Sequence, residues 1–172
     1  MCAFHACSST LTLEPTLHFM VAEAIIKLAT TEDSRDIWSW RNDIQTRAMS
    51  ITTGKISWES HSSWFKQSLL NPNRFLYVGW LAEEDKIGMC RFDIDNAANI
   101  AEISIILTPS MRGKNLSHIL VAGAIKVFQL SNSIPLNATI KKQNIASIKC
   151  FTKCGFVFDR EDEEFNYYVL NT

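Results

Sequence analysis

Apolar residues recur along the chain in two rhythms. Short blocks that alternate or run together with β-branched and aromatic residues predict strands over 24–28, 74–82, 86–94, 100–107, 136–140, 156–159 and 164–170. Longer stretches with apolar residues three and four apart predict four helices. The first follows N-cap candidates at Thr30 to Ser34 and puts Ile37, Trp38 and Trp40 on one face through about Asn42. Ser57 caps a second over 58–70, which Asn71-Pro72-Asn73 stops, while 44–55 reads as irregular and polar. A third spans 114–129, with Leu116, Leu120, Ala124 and Val127 aligned, and a fourth spans 144–154 and ends at Gly155, placed as a C′ glycine. The order β-α-α-β-β-β-α-β-α-β-β, without repeat or low-complexity linker, predicts a single α/β domain with a mixed sheet.

At 172 residues the chain suits one domain, long enough to bury about two-thirds of its unfolded surface without a disulfide or metal. Strand periodicity begins only at Ala24, so residues 1–22 read as an N-terminal extension and 23–172 as the domain. Seventeen basic residues against 18 acidic give a net charge of −1, which argues against a nucleic-acid partner. No apolar run reaches the roughly 20 residues a bilayer span needs. Five cysteines (Cys2, Cys7, Cys90, Cys150 and Cys154) show no metal-ligand spacing, and reduced thiols in a cytoplasmic protein are the simpler reading than a Cys150–Cys154 metal pair or disulfide. A homodimer stays open.

The segment with most chemistry is 101–120. A strand runs into a polar turn, and the turn opens a helix. Backbone N–H groups of Gly113, Lys114, Asn115, Leu116 and Ser117 would converge where the helix dipole is positive, a seat for a diphosphate to which Arg112 and Lys114 add charge. The spacing is neither a Walker A loop nor a dinucleotide fingerprint. It resembles the coenzyme A signature of the GNAT superfamily of N-acetyltransferases, Arg/Gln-x-x-Gly-x-Gly/Ala, with Arg112, Asn115 and Ser117 at the fixed positions. Asn115 stands in place of glycine and Ser117 in place of glycine or alanine. Asparagine tolerates positive φ best after glycine, so the turn is expected to form.

A second segment, Asn144 to Phe156, resembles the last helix of the same superfamily, with Asn144, Ser147, Lys153, Gly155 and Phe156 in register. The family often carries a tyrosine there that protonates the departing thiolate; this chain has Phe151. The resemblance implies the GNAT fold, acetyl-CoA as co-substrate, no metal, and a small-molecule amine as acceptor. It further implies that the strand ending at Leu107 and the strand at 136–140 splay, that backbone of Ile105 and Leu107 pairs with the pantetheine arm, and that an N–H in this stretch serves the oxyanion. Asn144, Phe151 and Lys153 would lie along the coenzyme. Glu102 sits where many members carry the carboxylate that takes the amine proton, against a plain reading as an exposed strand glutamate. Tyr167 or Tyr168 is a candidate to replace the missing hydroxyl.

The segment 40–65 carries the acceptor expectations. It is similar to sugar-nucleotide N-acetyltransferases of pseudaminic acid biosynthesis, which acetylate a 4-amino group on a UDP-linked sugar, and the similarity continues at Ile87, Gly88, Phe92, Ala101, Glu102 and 162–170. Arg41 and Arg47 would meet a diphosphate, Trp64 would stack on a base or sugar, and Asn42 and His61 would bind hydroxyls. Trp38, Trp58 and Phe65 suit the core instead, and Arg41 would pair with Asp43 or Glu59 if structural. Acetylation of a protein N-terminus or lysine, and a non-catalytic acyl-CoA-binding module, are the alternatives.

Overall fold

A computed structural model describes residues 24–81 and 85–171. The expected extension over 1–22, with Cys2 and Cys7, lies outside the described residues, as does most of the acidic turn before Asp85. The elements are β1 (Ile25–Leu28), α1 (Ser34–Asn42), α2 (Ile44–Met49), α3 (Trp58–Leu70), β2 (Arg74–Leu81), β3 (Asp85–Asp95), β4 (Ile100–Leu107), α4 (Ser117–Gln129), β5 (Leu136–Lys141), α5 (Ile145–Lys153), β6 (Val157–Glu161) and β7 (Phe165–Leu170).

The seven strands form one sheet in the order β1-β2-β3-β4-β5-β7-β6. Every neighbouring pair is antiparallel except β4 and β5, which run parallel and touch only at Ala101–Leu136 and Glu102–Asn137. Two-residue alternation sends side chains to opposite faces. Cys90, Phe92, Ala101, Ile103, Ala138 and Ile140 meet α4 and α5, where Phe92 stacks on Phe128 at 4.3 Å between ring centroids. On the other face Leu76, Val78 and Met89 meet Ile37, Trp40 and Phe65 of α1 and α3. Each face is sealed by its own core, so the sheet is covered on both sides as the sequence pattern implies.

Two elements depart from expectation. Residues 44–49 are helical, because the Asp43 carboxylate accepts from the N–H groups of Gln45 and Thr46 and so caps a helix there. No residue of α2 is buried, which is why no apolar period announces it. Helix α4 begins at Ser117 rather than Lys114, since Gly113 (φ 74°) and Asn115 (φ 58°) sit in the left-handed region, which a right-handed helix cannot include.

Candidate active site

The sheet opens at its parallel pair. Ala101 N–H donates to Pro135 O at 3.0 Å and therefore points toward β5. By alternation the N–H and C=O groups of Ile103, Ile105 and Leu107 point the same way; the parallel Glu102–Asn137 pairing engages the Ile103 N–H, and β5 pairs no further, so the edge is open from the Ile103 carbonyl to Leu107. An unpaired backbone edge thus faces the gap, where an amide-bearing chain can replace the missing strand. A cleft of about 490 Å³ runs through this gap, from Asn144 before α5 and Ser147 and Phe151 on it to Arg41, His61 and Trp64 on the opposite face. That volume suits a small molecule.

Beyond β4 the chain makes a single 3₁₀ turn and enters the polar turn 112–116. Leu120 N–H to Leu116 O is the first bond of α4, and none of the N–H groups from Gly113 to Ile119 meets an acceptor among the described residues. A row of free N–H groups at the positive end of a 13-residue helix is a fit for a diphosphate. A Cβ on Gly113 would meet nothing within 4 Å, so glycine serves the positive φ there and not a tight space. Asn115 adopts the left-handed conformation expected of it. Buried Leu116 pins the turn to the core, while Lys114 is exposed.

Arg112 does not point into this seat. Its Nη2 pairs with Asp43 Oδ1 at 2.6 Å and donates to Thr46 Oγ1, and its Nη1 donates to Gln45 Oε1. The guanidinium is spent on α2. At the junction of α4 and α5, Lys153 Nζ donates to His118 Nε2 at 3.1 Å, and burial followed by the Lys153 charge lowers the pKa of that imidazole. Asn144 caps α5 through Ser147 N–H and faces the cleft. Phe151 is 2% exposed, packs edge-on against Phe156 and also reaches the cleft.

Glu102 sits at the vertex of the splay. Its Oε1 accepts from Thr139 N–H at 2.9 Å, a donor that the diverging strands would otherwise leave without a partner. The side chain is half-buried and lines the cleft, which rules out the reading as an exposed glutamate. Burial raises its pKa, offset in part by the Thr139 hydrogen bonds and the Arg91 charge, with Asp93 adding to the rise. One carboxylate oxygen is anchored, which leaves the other to the cleft.

The residues expected from the sequence to meet an acceptor divide. Arg41 lines the cleft; its Nη2 donates to Thr52 O, its Nη1 is sheltered without a partner, and no carboxylate pairs with it among the described residues. Burial, then Arg47 and Arg91, lowers its pKa. Trp64 is half-buried on the cleft wall, with the Arg74 and Arg91 guanidiniums 5.7 and 5.9 Å from its ring. His61 reaches the cleft but is 2% exposed, stacked with Trp58 and Phe65, and its Nε2–H donates to Ser34 O; burial lowers its pKa, so it packs as a neutral ring.

Asn42 and Arg47 do not line the cleft. Asn42 bonds both the N–H and the C=O of Ile56, and Arg47 donates to Asn42 O and Thr53 O. Both satisfy loop carbonyls and amides that secondary structure leaves over. Neither Tyr167 nor Tyr168 lines the cleft: Tyr167 Oη donates to Asp162 at 2.6 Å, and Tyr168 is buried against Phe158.

Arg91, Ser104, Thr139 and Lys141 line the cleft without having been singled out from the sequence. Their signal was present: each is a polar residue alternating with buried ones on a central strand. The three described cysteines are free thiols, no group of three or more His, Cys, Asp or Glu residues is placed to hold a metal among the described residues, and no described helix is long and apolar enough to cross a membrane.

The family model described as Acetyltransferase (GNAT) domain matches residues 24–157. Among solved structures, the spermidine N-acetyltransferase from Vibrio cholerae in complex with CoA and spermine is similar at a TM-score of 0.77 and 16% identity, over 86% of this chain and 95% of that one. A domain from Methanocaldococcus jannaschii gives 0.73 and 24%, over 87% and 99%. An aminoglycoside acetyltransferase in complex with coenzyme A gives 0.73 and 17%, over 87% and 95%. At these identities the likeness is one of fold. No curated protein matches the chain.

Proposed function

The chain belongs to the GNAT acetyltransferase family, and from that premise we propose that it moves acetyl from acetyl-CoA to the primary amine of a small, anionic substrate, best an amino-sugar nucleotide. Acetyl-CoA supplies the activated acyl group. The N–H groups of Gly113 to Ser117 would hold its diphosphate, and the open edge at Ile105 and Leu107 would align its amide arm. An N–H of that edge would donate to the thioester oxygen, where charge develops. Glu102, anchored by Thr139, takes the amine proton on its free oxygen; a carboxylate of raised pKa is the better base near neutrality. Phe151 carries no proton, so the departing thiolate must be met by water or by Ser147. A thiol of pKa near 8.5 makes that a modest demand.

The observation that carries the acceptor class is the charge of the cleft. Arg41, Arg91 and Lys141 line it against Glu102 as the carboxylate, while Asp93 is held by Arg74 and Arg91. A polycation such as the spermine bound to the Vibrio enzyme would face like charges here. A substrate with one amine for Glu102 and an anionic group for Arg41 meets each charge with its opposite, and Trp64 offers a ring face to a base or sugar. The free thiols fit a reducing compartment, and the reaction is assigned to the cytoplasm.

Replacing Arg41 tests this reading. Loss of one charge-assisted contact, worth about 1.5–3 kcal/mol, should raise the KM for a UDP-linked 4-amino sugar about ten-fold or more in Arg41→Ala. The free amino sugar should be indifferent. Equal loss on both substrates would show that Arg41 serves the loop alone.

A further inference from the structure

Helix α2 is six residues long with none buried, and Ile44 is 76% exposed. So short a helix without an apolar anchor does not hold in water by itself. Its position depends on polar ties, and there is one at each end. Asp43, which caps its N-terminus, is paired with Arg112, and the same guanidinium holds Gln45 and Thr46. Near its C-terminus, Lys141 Nζ donates to Ala48 O at 3.1 Å.

One donor lies beyond the end of β4 and the other on β5, the two strands that splay. Arg112 opens the turn after β4, and Lys141 is the last residue of β5. Helix α2 therefore bridges the gap as a strap on the side of α1 and α3. Its last residue, Met49, and the three that follow, Ser50 to Thr52, form part of the cleft wall on the proposed acceptor side. Met49 and Ser50 are half-buried, so the wall is no better anchored in the core than the strap.

We propose that Arg112 and Lys141 are positioning residues that hold the acceptor wall through α2, and that coenzyme seated on the 113–117 turn firms that wall through the Arg112–Asp43 pair. The inference rests on the coenzyme placement proposed above and adds that the two substrates communicate. Arg112 is joined directly to Gly113, so a ligand that fixes the turn also fixes the guanidinium and the helix it holds. Such coupling is reciprocal: an acceptor resting on Met49 to Thr52 tightens the coenzyme in return. A second ligand binding to an already ordered wall loses less entropy, so each ligand raises the affinity for the other.

Hydrogen exchange read by mass spectrometry tests this on the whole chain, with coenzyme A as the probe and no acceptor needed. In the unmodified protein, coenzyme A should protect 113–119 and also slow exchange over 43–56 by about five-fold, the equivalent of a partly exposed charged tie of about 1 kcal/mol. Asp43→Asn should keep the protection at 113–119 and lose most of the slowing at 43–56. Lys141→Met should speed exchange at 48–52 with and without coenzyme. Thermal midpoints within a few degrees of the unmodified protein show that both variants fold. Equal slowing of 43–56 in Asp43→Asn overturns the proposal, as does protection of 113–119 in the unmodified protein with no change at 43–56. Absence of protection at 113–119 refutes the coenzyme seat itself, and the strap proposal with it.

Discussion

Glu102→Gln separates catalysis from stability in one residue. The substitution keeps the shape and leaves an oxygen for Thr139 N–H at 2.9 Å, but removes the charge that would accept the amine proton. A general base contributes about 10² to 10⁴ in rate, so kcat should fall at least about 10²-fold while the affinity for coenzyme A stays the same. Stability should move the other way. Burial raises the Glu102 pKa above its ordinary 4.5, so folding favours the protonated form. The side chain's contribution is therefore full below pH 4.5 and is lost as pH rises through the raised folded pKa. Glutamine does not ionise, hence the variant should melt higher than the unmodified protein at neutral pH, and the difference should close toward pH 4. In the unmodified enzyme the acid limb of kcat/KM should lie above the usual glutamate range and vanish in the variant. Thiol release from acetyl-CoA over a pH series, with melting curves at the same pH values, reads both effects. A variant within a few-fold of full activity, or one that melts lower at neutral pH, would refute the placement of a partly desolvated catalytic carboxylate at the vertex.

Ser117→Glu puts a carboxylate among the free N–H groups at the start of α4 and should abolish the rise in melting temperature that saturating coenzyme A gives, a rise set by mass action. Asn42→Ala removes both bonds to Ile56 and should cost about 1–3 kcal/mol in chemical denaturation without changing the affinity for coenzyme A. Phe151→Tyr, on a side chain that already reaches the cleft, should leave kcat similar or higher in the thiol-release assay.

The turn at 112–116 and the helix it opens were legible in the sequence because they depend on backbone. A strand of period two, a glycine and an asparagine at left-handed positions, and a helix start can each be recognised from residue type. The residues proposed for the acceptor depend on where long side chains turn. Arg41, Asn42 and Arg47 look alike as polar residues near the expected site, yet Asn42 and Arg47 fold back on the 52–56 loop and Arg41 does so with one nitrogen only. That choice is set by carbonyls left over in an irregular loop. The position of Arg112 in the turn points to a phosphate, and the sequence holds no sign that its guanidinium pairs with the Asp43 carboxylate, 69 residues earlier. Helix α2 escaped notice because its stability comes from a cap and polar ties, and neither leaves a period. Polar residues alternating with buried ones on β3, β4 and β5 mark the cleft floor and are the signal to look for in such a sheet.

The central claim is that the cleft transfers acetyl from acetyl-CoA to an amine carried by an anionic molecule. Free thiol release should therefore be compared across a UDP-linked 4-amino sugar, the free amino sugar, spermidine, an aminoglycoside and a lysine peptide under one set of conditions. The charge of the cleft predicts the highest kcat/KM for the sugar nucleotide, well above that of the same sugar without its nucleotide. Fastest turnover of spermidine, the aminoglycoside or the peptide would contradict it.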